Sequence, residues 1–471
     1  MPRVRPFAVA LTIATIGAAG VAPTARAVSG NDTITTIAGT GKDGGYDAPE
    51  LPGFFGDGGA AVQAMMTAPT GVAADARGNV YVADRANRRI RRIAPNGIIT
   101  TVAGTDDYGS SGDGGPAASA TLDDPYDVAT DTNGNVYISD VYEYRVRRID
   151  SSGIISNYAG QNSGHRFGGP GFGGDGGPAT DALMGPQGMA VDARGNFYVA
   201  DPNNCRIRRV TPDGIIKTFA GIGCTGTLVG DGGPATSAVL WDARSVAVDR
   251  HGNLYICETG SGRIRKVTAN GIITTIAGNG HRGFSGDGHR ATRARLWFPE
   301  GVAVDRADNV YIADNANYRI RKVTPNGIIT TIAGHSEDDT YKRHNLGGDG
   351  GPARRSRLSA PGAVAVDARG DLLIADYGNY RIRKIINRSP RARFVARGRA
   401  GTKTVSFNAR RSRDPDGRLI AYAWNFGDHH SAHGRRVQHT FAHAGRYTVT
   451  LTITDDSGMT VAASHRIRVV T

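Results

Sequence analysis

The sequence predicts an all-β chain whose larger part is a six-bladed β-propeller. Three observations predict it. Six copies of one motif recur, the clearest reading Gly301-Val-Ala-Val-Asp305, Asn309-Val-Tyr-Ile-Ala-Asp314, Arg319-Ile-Arg-Lys-Val323, Asn326-Gly327, Ile328-Ile-Thr-Thr-Ile-Ala-Gly334. Each copy holds four short strand patterns separated by turn signals, and self-similarity at such a period marks a radial or solenoid array. The two ends of the array complement each other. Thr33-Ile-Thr-Thr-Ile-Ala-Gly39 is a lone fourth strand placed before repeat 1, and repeat 6 stops after Arg381-Ile-Arg-Lys-Ile385 without one. The ring is therefore expected to close when the N-terminal strand joins the last blade, which removes the exposed edges that invite aggregation.

Taken from the N-terminus, residues 1–27 read as a secretory signal. Arg3 and Arg5 form a basic start, an apolar run extends from Phe7 to Val21, and Ala25-Arg26-Ala27 fits a small-x-small cleavage site. The run is short for a membrane span, so a secreted or cell-surface protein is expected, with no span after cleavage. The array then occupies residues 28–387. Its repeats align on Asp84, Asp140, Asp201, Glu258, Asp314 and Asp376, 56 to 62 residues apart, and one long loop per repeat absorbs the excess over a bare four-strand unit.

Each strand pattern has a reason. Gly-Val-Ala-Val-Asp is small and apolar, which suits a strand crowded near an axis. Val-Tyr-Ile-Ala-Asp is β-branched and aromatic, as befits a strand packed on both faces. The third alternates Arg and Ile, which predicts one polar face and one buried face. Asn-Gly, Asp-Gly or Ser-Gly then marks a tight hairpin into the fourth strand. Four antiparallel strands of this kind make one propeller blade.

These blocks, Gly-Val-Ala-Val-Asp, Tyr-Ile-Ala-Asp and Asn-x-Arg-Ile-Arg-Lys, resemble NHL repeats. The Gly-Asp-Gly-Gly-Pro-Ala loops look like those of teneurin-type NHL repeats, and the resemblance covers residues 33–387. It implies a fold rather than one activity, since NHL propellers serve as lyases, adhesion modules, sensors and RNA binders. Residues 388–471 begin with a short basic linker and then resemble a PKD domain through Asp414-Pro-Asp-Gly417, Trp424-Asn-Phe-Gly-Asp428, His439-Thr-Phe441 and Tyr447–Gly458. That resemblance implies an immunoglobulin-like β-sandwich acting as a non-catalytic spacer or binding module. The family usually has glycine where His429 stands, so an altered turn is expected there.

Charge is unevenly spread. Residues 28–387 carry 38 basic and 38 acidic side chains, whereas residues 388–471 carry 15 Lys/Arg against 5 Asp/Glu. A neutral array argues against nucleic acid as a partner, since that binding leans on phosphate neutralisation. The basic domain suits an anionic cell-wall polymer. Of the three cysteines, Cys205 and Cys224 are the first candidates for a disulfide; three free thiols are the alternative.

Candidate functional residues divide into repeated and varied ones. The recurrent Asp and Arg, such as Asp314 with Arg319 and Asp84 with Arg89, bracket the turn after the second strand and read as structural, because a feature copied into every blade serves what all blades share. The loop aspartates Asp57, Asp113, Asp175, Asp231, Asp287 and Asp349 read as turn-forming. Ca²⁺ is the alternative, although one carboxylate per loop is few for a dedicated site; no cofactor is otherwise expected. The residue entering the innermost strand varies among blades: Thr70, Tyr126, Gln187, Arg244, Glu300, Gly362. Varied polar groups around a channel mouth are what an asymmetric ligand requires. Tyr126, Gln187, Arg244 and Glu300 are thus the candidate ligand-binding residues. Trp241 and Trp297, equivalent positions in neighbouring blades, form a candidate aromatic shelf, with packing beneath the long loops as the alternative. The expected ligand is an extracellular carbohydrate, peptide or protein.

No catalytic set stands out. No His lies in an inner-strand block, and His429, His430, His433, His439 and His443 of the last domain read as solvated loop residues rather than a metal centre. The rival reading is a lyase or hydrolase with Glu300 as acid or base and Arg244 clamping an anionic group.

Overall fold

A computed structural model describes residues 28–41, 54–161, 171–226, 230–335, 347–386, 389–398, 401–414, 418–455 and 460–470. The expected signal sequence lies outside the described residues. The chain divides into two compact units, one spanning Thr33–Ile386 and one containing the residues after Ile386. Each is described by itself.

The first unit holds six four-stranded antiparallel sheets arranged as blades. Five are built from consecutive strands, such as blade 5 with Pro299–Val304, Val310–Asp314, Arg319–Val323 and Ile329–Ala333. Blade 6 takes Pro361–Val366, Leu372–Asp376 and Arg381–Ile386 and receives Thr33–Ala38 as its outer strand, with Thr33 opposite Ile386 and Ile34 opposite Ile385. The predicted closure is what the register contains. The innermost strands pack one on the next around the axis, and that of blade 6 returns to that of blade 1. Crowding there explains the small residues: a Cβ on Gly188 would lie 2.5 Å from the Arg244 carbonyl oxygen, and one on Gly301 would lie 2.9 Å from that of Gly362.

The second strand of every blade is buried along its whole length, as its composition predicts. Apolar clusters then join adjacent blades. Ala38, Met66, Val72, Val82, Leu373 and Ile382 form one such cluster between blades 6 and 1. The hairpin into the fourth strand is a three-residue loop in which Gly327 N donates to Thr324 O, and Gly327 takes φ +78°, where only glycine is unstrained.

The third strand departs from expectation. Its Arg/Ile alternation predicts a polar outward face, yet the second arginine of each copy, Arg91, Arg147, Arg208, Arg321 and Arg383, is fully buried, and Arg265 nearly so. The reason is the long loop, which folds over that face and supplies carboxylate and carbonyl acceptors. Arg321 Nη1 donates to Asp314 Oδ2 (3.1 Å), and its Nη2 donates to Asp287 Oδ1 (2.8 Å) and to the Ser285 carbonyl (2.9 Å). The partner of the strand-end aspartate is therefore Arg321 and not Arg319, which instead donates to the Asn317 carbonyl and lies under the Phe284 ring.

The second unit contains a three-stranded sheet (Val395–Gly398, Thr404–Asn408, Arg436–Thr440) and a four-stranded one (Ser431–His433, Leu419–Asn425, Gly445–Asp455, Thr460–Val469). Phe394, Phe407, Trp424, Phe426, Phe441 and Leu451 fill the core. Trp424 Nε1 reaches the Gly434 carbonyl at 2.8 Å, which satisfies the buried indole. His429 adopts φ +70°, the conformation for which glycine is the usual choice.

Candidate functional site

In each blade the first strand runs antiparallel to the second, so the entry to the innermost strand stands beside the end of the second strand; Pro299 faces Asp314. The entry residues and the short turn after the second strand therefore share one end of the propeller and frame the channel mouth. The structure gathers several predicted residues there. Arg244 Nη1 lies 3.4 Å from Glu300 Oε1, while its Nε donates to both Asp242 oxygens at 3.0 Å. Asn315 Nδ2 donates to Glu300 Oε2 at 3.2 Å. Across the mouth, Arg85 makes a two-pronged ion pair with Asp124 (2.5 and 2.8 Å), and its guanidinium carbon sits 5.2 Å from the centre of the Tyr126 ring.

Burial sets the ionisation of this group. Glu300 is held above the usual carboxylate range by desolvation, with Arg244 opposing. The Tyr126 phenol is pushed up by burial and then by the negative charge of Glu300. Burial works against the charge on Arg244, but Asp242 and the other negative neighbours outweigh it and keep its pKa raised. Asp127, next to Tyr126 and facing the axis, is pushed up to about 7 by desolvation, although Met189 N donates to it at 2.9 Å. Carboxyls whose pKa burial raises, as it does for Glu300 and Asp127, are candidates for exchanging protons or meeting a polar ligand.

Trp241 and Trp297 are 46% and 39% exposed, so they do not pack beneath the long loops. Gln187 stands apart from the Arg244–Glu300 group: its backbone N–H donates to Ala200, and its side-chain oxygen is buried with no hydrogen bond among the described residues. Thr70 is taken up by the scaffold, its hydroxyl donating to the Tyr126 carbonyl at 2.6 Å. Sequence reasoning missed Arg85, Asp124, Asp242, Asn315 and the 37%-exposed Tyr377. A signal for three of them was present. The residue after the strand-end acid also varies among blades: Arg85, Val141, Pro202, Thr259, Asn315, Tyr377.

The loop aspartates have a different task. Asp57, Asp113, Asp175, Asp231, Asp287 and Asp349 each accept from the buried arginine of their own blade at 2.7–2.8 Å. The guanidinium is the cation they meet. Cys205 and Cys224 form a disulfide with Cα atoms 5.0 Å apart, and Cys257 is a buried thiol whose pKa burial raises. Among the described residues no helix is long and apolar enough to cross a membrane.

Comparison with known proteins places these features. The teneurin NHL domain pattern matches residues 25–111, 224–285, 279–347 and 318–386, an NHL repeat matches 183–210, and a PKD domain matches 387–470. Mouse Teneurin-4 is 29% identical over 386 residues and zebrafish Teneurin-3 is 29% identical over 388, each alignment covering 76% of this chain. The matched region spans only 13% of the length of those relatives. Among solved structures, a structural genomics protein of unknown function from Bacteroides thetaiotaomicron VPI-5482 superposes with a TM-score of 0.53 at 20% identity, covering 75% of each chain. An auxiliary nutrient binding protein from the same organism superposes with a TM-score of 0.53 at 17% identity, covering 75% of this chain and 76% of its own. At such identities the likeness concerns the fold alone.

Proposed function

The chain belongs to the teneurin-type NHL propeller family, with a PKD domain following the propeller, and on that premise we propose that it is a non-enzymatic binding or adhesion protein of the cell exterior. Its ligand, a carbohydrate, peptide or protein, docks on the channel-mouth face. One observation carries this reading: six near-identical blades present a mouth at which charged, polar and exposed aromatic side chains differ from blade to blade, with Arg244, Glu300, Tyr126, Trp241 and Trp297 on that face. A shared scaffold with one diversified face is how loop-borne recognition is built. The Cys205–Cys224 disulfide supports an oxidising compartment, and so an extracellular or cell-surface location.

The experiment is binding of the full chain to glycan and peptide arrays. The best ligand is then titrated against Trp241→Ala, Trp297→Ala, Arg244→Met and Glu300→Gln, with the opposite-end variant Arg306→Ala as control. The mouth variants are expected to weaken binding by at least ~10-fold, the effect of losing ~1.4 kcal/mol. Equal binding by all five proteins ends the proposal. The raised Glu300 pKa favours one second reading, acid–base chemistry at the mouth. Turnover of a lactone, glycan or peptide substrate that disappears in folded Glu300→Gln would replace the first reading with the second.

The basic second unit is proposed to hold an anionic cell-wall polymer on its three-stranded sheet. Arg397, Ser406 and Gln438 align across the strands there, and Asn408 and Arg436 align beside them, along a groove of about 440 Å³. Retention on isolated cell walls that survives Arg397→Ala/Arg436→Ala unchanged would remove this part.

A further inference from the structure

The C-terminal domain holds six histidines, His429, His430, His433, His439, His443 and His465, and the fold decides which of them meet. Gly427 and His429 take φ +77° and +70°, which reverses the chain between the strands Leu419–Asn425 and Ser431–His433. The turn leaves His430 Nδ1 3.5 Å from Asp428 Oδ1. The strand Arg436–Thr440 brings His439 to the same carboxylate, with Nε2 2.6 Å from Asp428 Oδ2. The His439 ring is held in place: it stacks on Phe426 at 4.1 Å with an interplanar angle of 1° and meets Phe441 edge-on at 4.6 Å. The His430 side chain is 71% exposed, its Nδ1 lies 3.2 Å from the Asp428 carbonyl oxygen, and its ring centre is 5.5 Å from that of His439.

We propose that Asp428, His430 and His439 form a binding site for a divalent transition-metal ion, with Zn²⁺ as the reference occupant. One ligand atom from each residue lies within 4.8 Å of the other two. Two imidazoles and one carboxylate suit Zn²⁺, Cu²⁺ or Ni²⁺; Ca²⁺ and Mg²⁺ prefer all-oxygen sets. A tetrahedral ion bonded at about 2.0–2.2 Å sets its ligand atoms roughly 3.3 Å apart. The present separations of 2.6 and 3.5 Å bracket that value, so the ion enters between Asp428 and His439, and rotation of the exposed His430 ring completes the set. On binding, the ion replaces the direct Asp428–His439 hydrogen bond, and any imidazole proton in its way is released to solvent. Three protein ligands leave at least one coordination position open to water.

The test uses the full chain after chelator treatment, titrated calorimetrically with ZnCl₂, with Co²⁺ absorption as a second readout of geometry. One equivalent is expected to bind. Asp428→Asn and His430→Gln are expected to weaken it by at least ~10-fold and to abolish the tetrahedral Co²⁺ spectrum, whereas His433→Gln and His443→Gln leave both unchanged. His430→Gln alters only an exposed ring, so it remains informative if a His439 variant fails to fold. Absence of stoichiometric binding to the unaltered protein, undiminished binding by His430→Gln, or loss of binding in the His433 or His443 variant each overturns the assignment.

Discussion

Consider Arg321→Met. The methionine approximates the volume of the arginine stem, but it removes a guanidinium that is fully buried against Asp314, itself fully buried, and against Asp287. Asp314 keeps two donors, the Trp297 N–H and Asn317 Nδ2, both at 2.8 Å, and loses its counter-charge. Removing one member of a buried ion pair costs about 3–5 kcal/mol, because the other charge is left uncompensated. The propeller unit spans Thr33–Ile386. At about 2.1 cal/mol/K of unfolding entropy per residue, that loss lowers its Tm by roughly 4–7 °C. Desolvation already raises the Asp314 pKa to about 6 with Arg321 in place, and without the arginine it rises further. The penalty in the variant is therefore largest above neutrality and shrinks at pH 5, where the carboxyl takes up a proton. Differential scanning calorimetry at pH 7.5 and pH 5.0 reads both effects. Adding Asp314→Asn to the variant should recover part of the loss at pH 7.5. A Tm within 1 °C of the parent at pH 7.5, or a penalty equal at the two pH values, refutes the reasoning that this arginine neutralises a buried carboxylate.

Two further outcomes are expected. Asp127, raised from 3.8 to about 7 in the fold, contributes stability that is fully present below its unfolded pKa and is lost as pH rises through about 7. The propeller should therefore lose up to ~3 kcal/mol from this group between pH 5 and pH 8, and Asp127→Asn should flatten that slope; parallel pH–stability curves for the two proteins count against it. Replacing Cys205 and Cys224 by serine opens a loop with a sequence separation of 19. By loop-entropy arguments this costs about 3 kcal/mol, readable as a fall of roughly 4 °C in Tm, and an unshifted Tm would mean that the unfolded chain gains nothing from that freedom.

The blade plan and the closing strand were legible because a repeat states the same local rules six times. Val310–Asp314 announces a strand buried on both faces, and the unpaired Thr33–Ala38 has one vacancy to fill. The fate of Arg321 was not legible in the same way. Alternation along Arg319–Val323 describes a strand with a free face, and only the folding of a distant loop over that face turns the arginine inward. The mouth followed the same division. Arg244 and Glu300 could be singled out because they differ from their counterparts in other blades. Arg85 and Asp124 pair between blades; Arg85 lies beyond the inner-strand entry, and Asp124, though within it, gains its meaning only from that distant partner. Among the histidines, spacing along the chain hid the meeting of His430 with His439, which depends on a turn and a strand pairing.

The outer strand of blade 6 comes from Thr33–Ala38, and its neighbour, Arg381–Ile386, is some 350 residues later. During synthesis the earliest piece of the propeller must wait, without this partner, until the latest one arrives. Ile34, fully buried in the finished ring, spends that interval without its neighbours. Joining ends so far apart in sequence is entropically slow, so the ring can latch shut only once Arg381–Ile386 has been made. A truncation anywhere before Arg381 leaves the latch with nothing to catch.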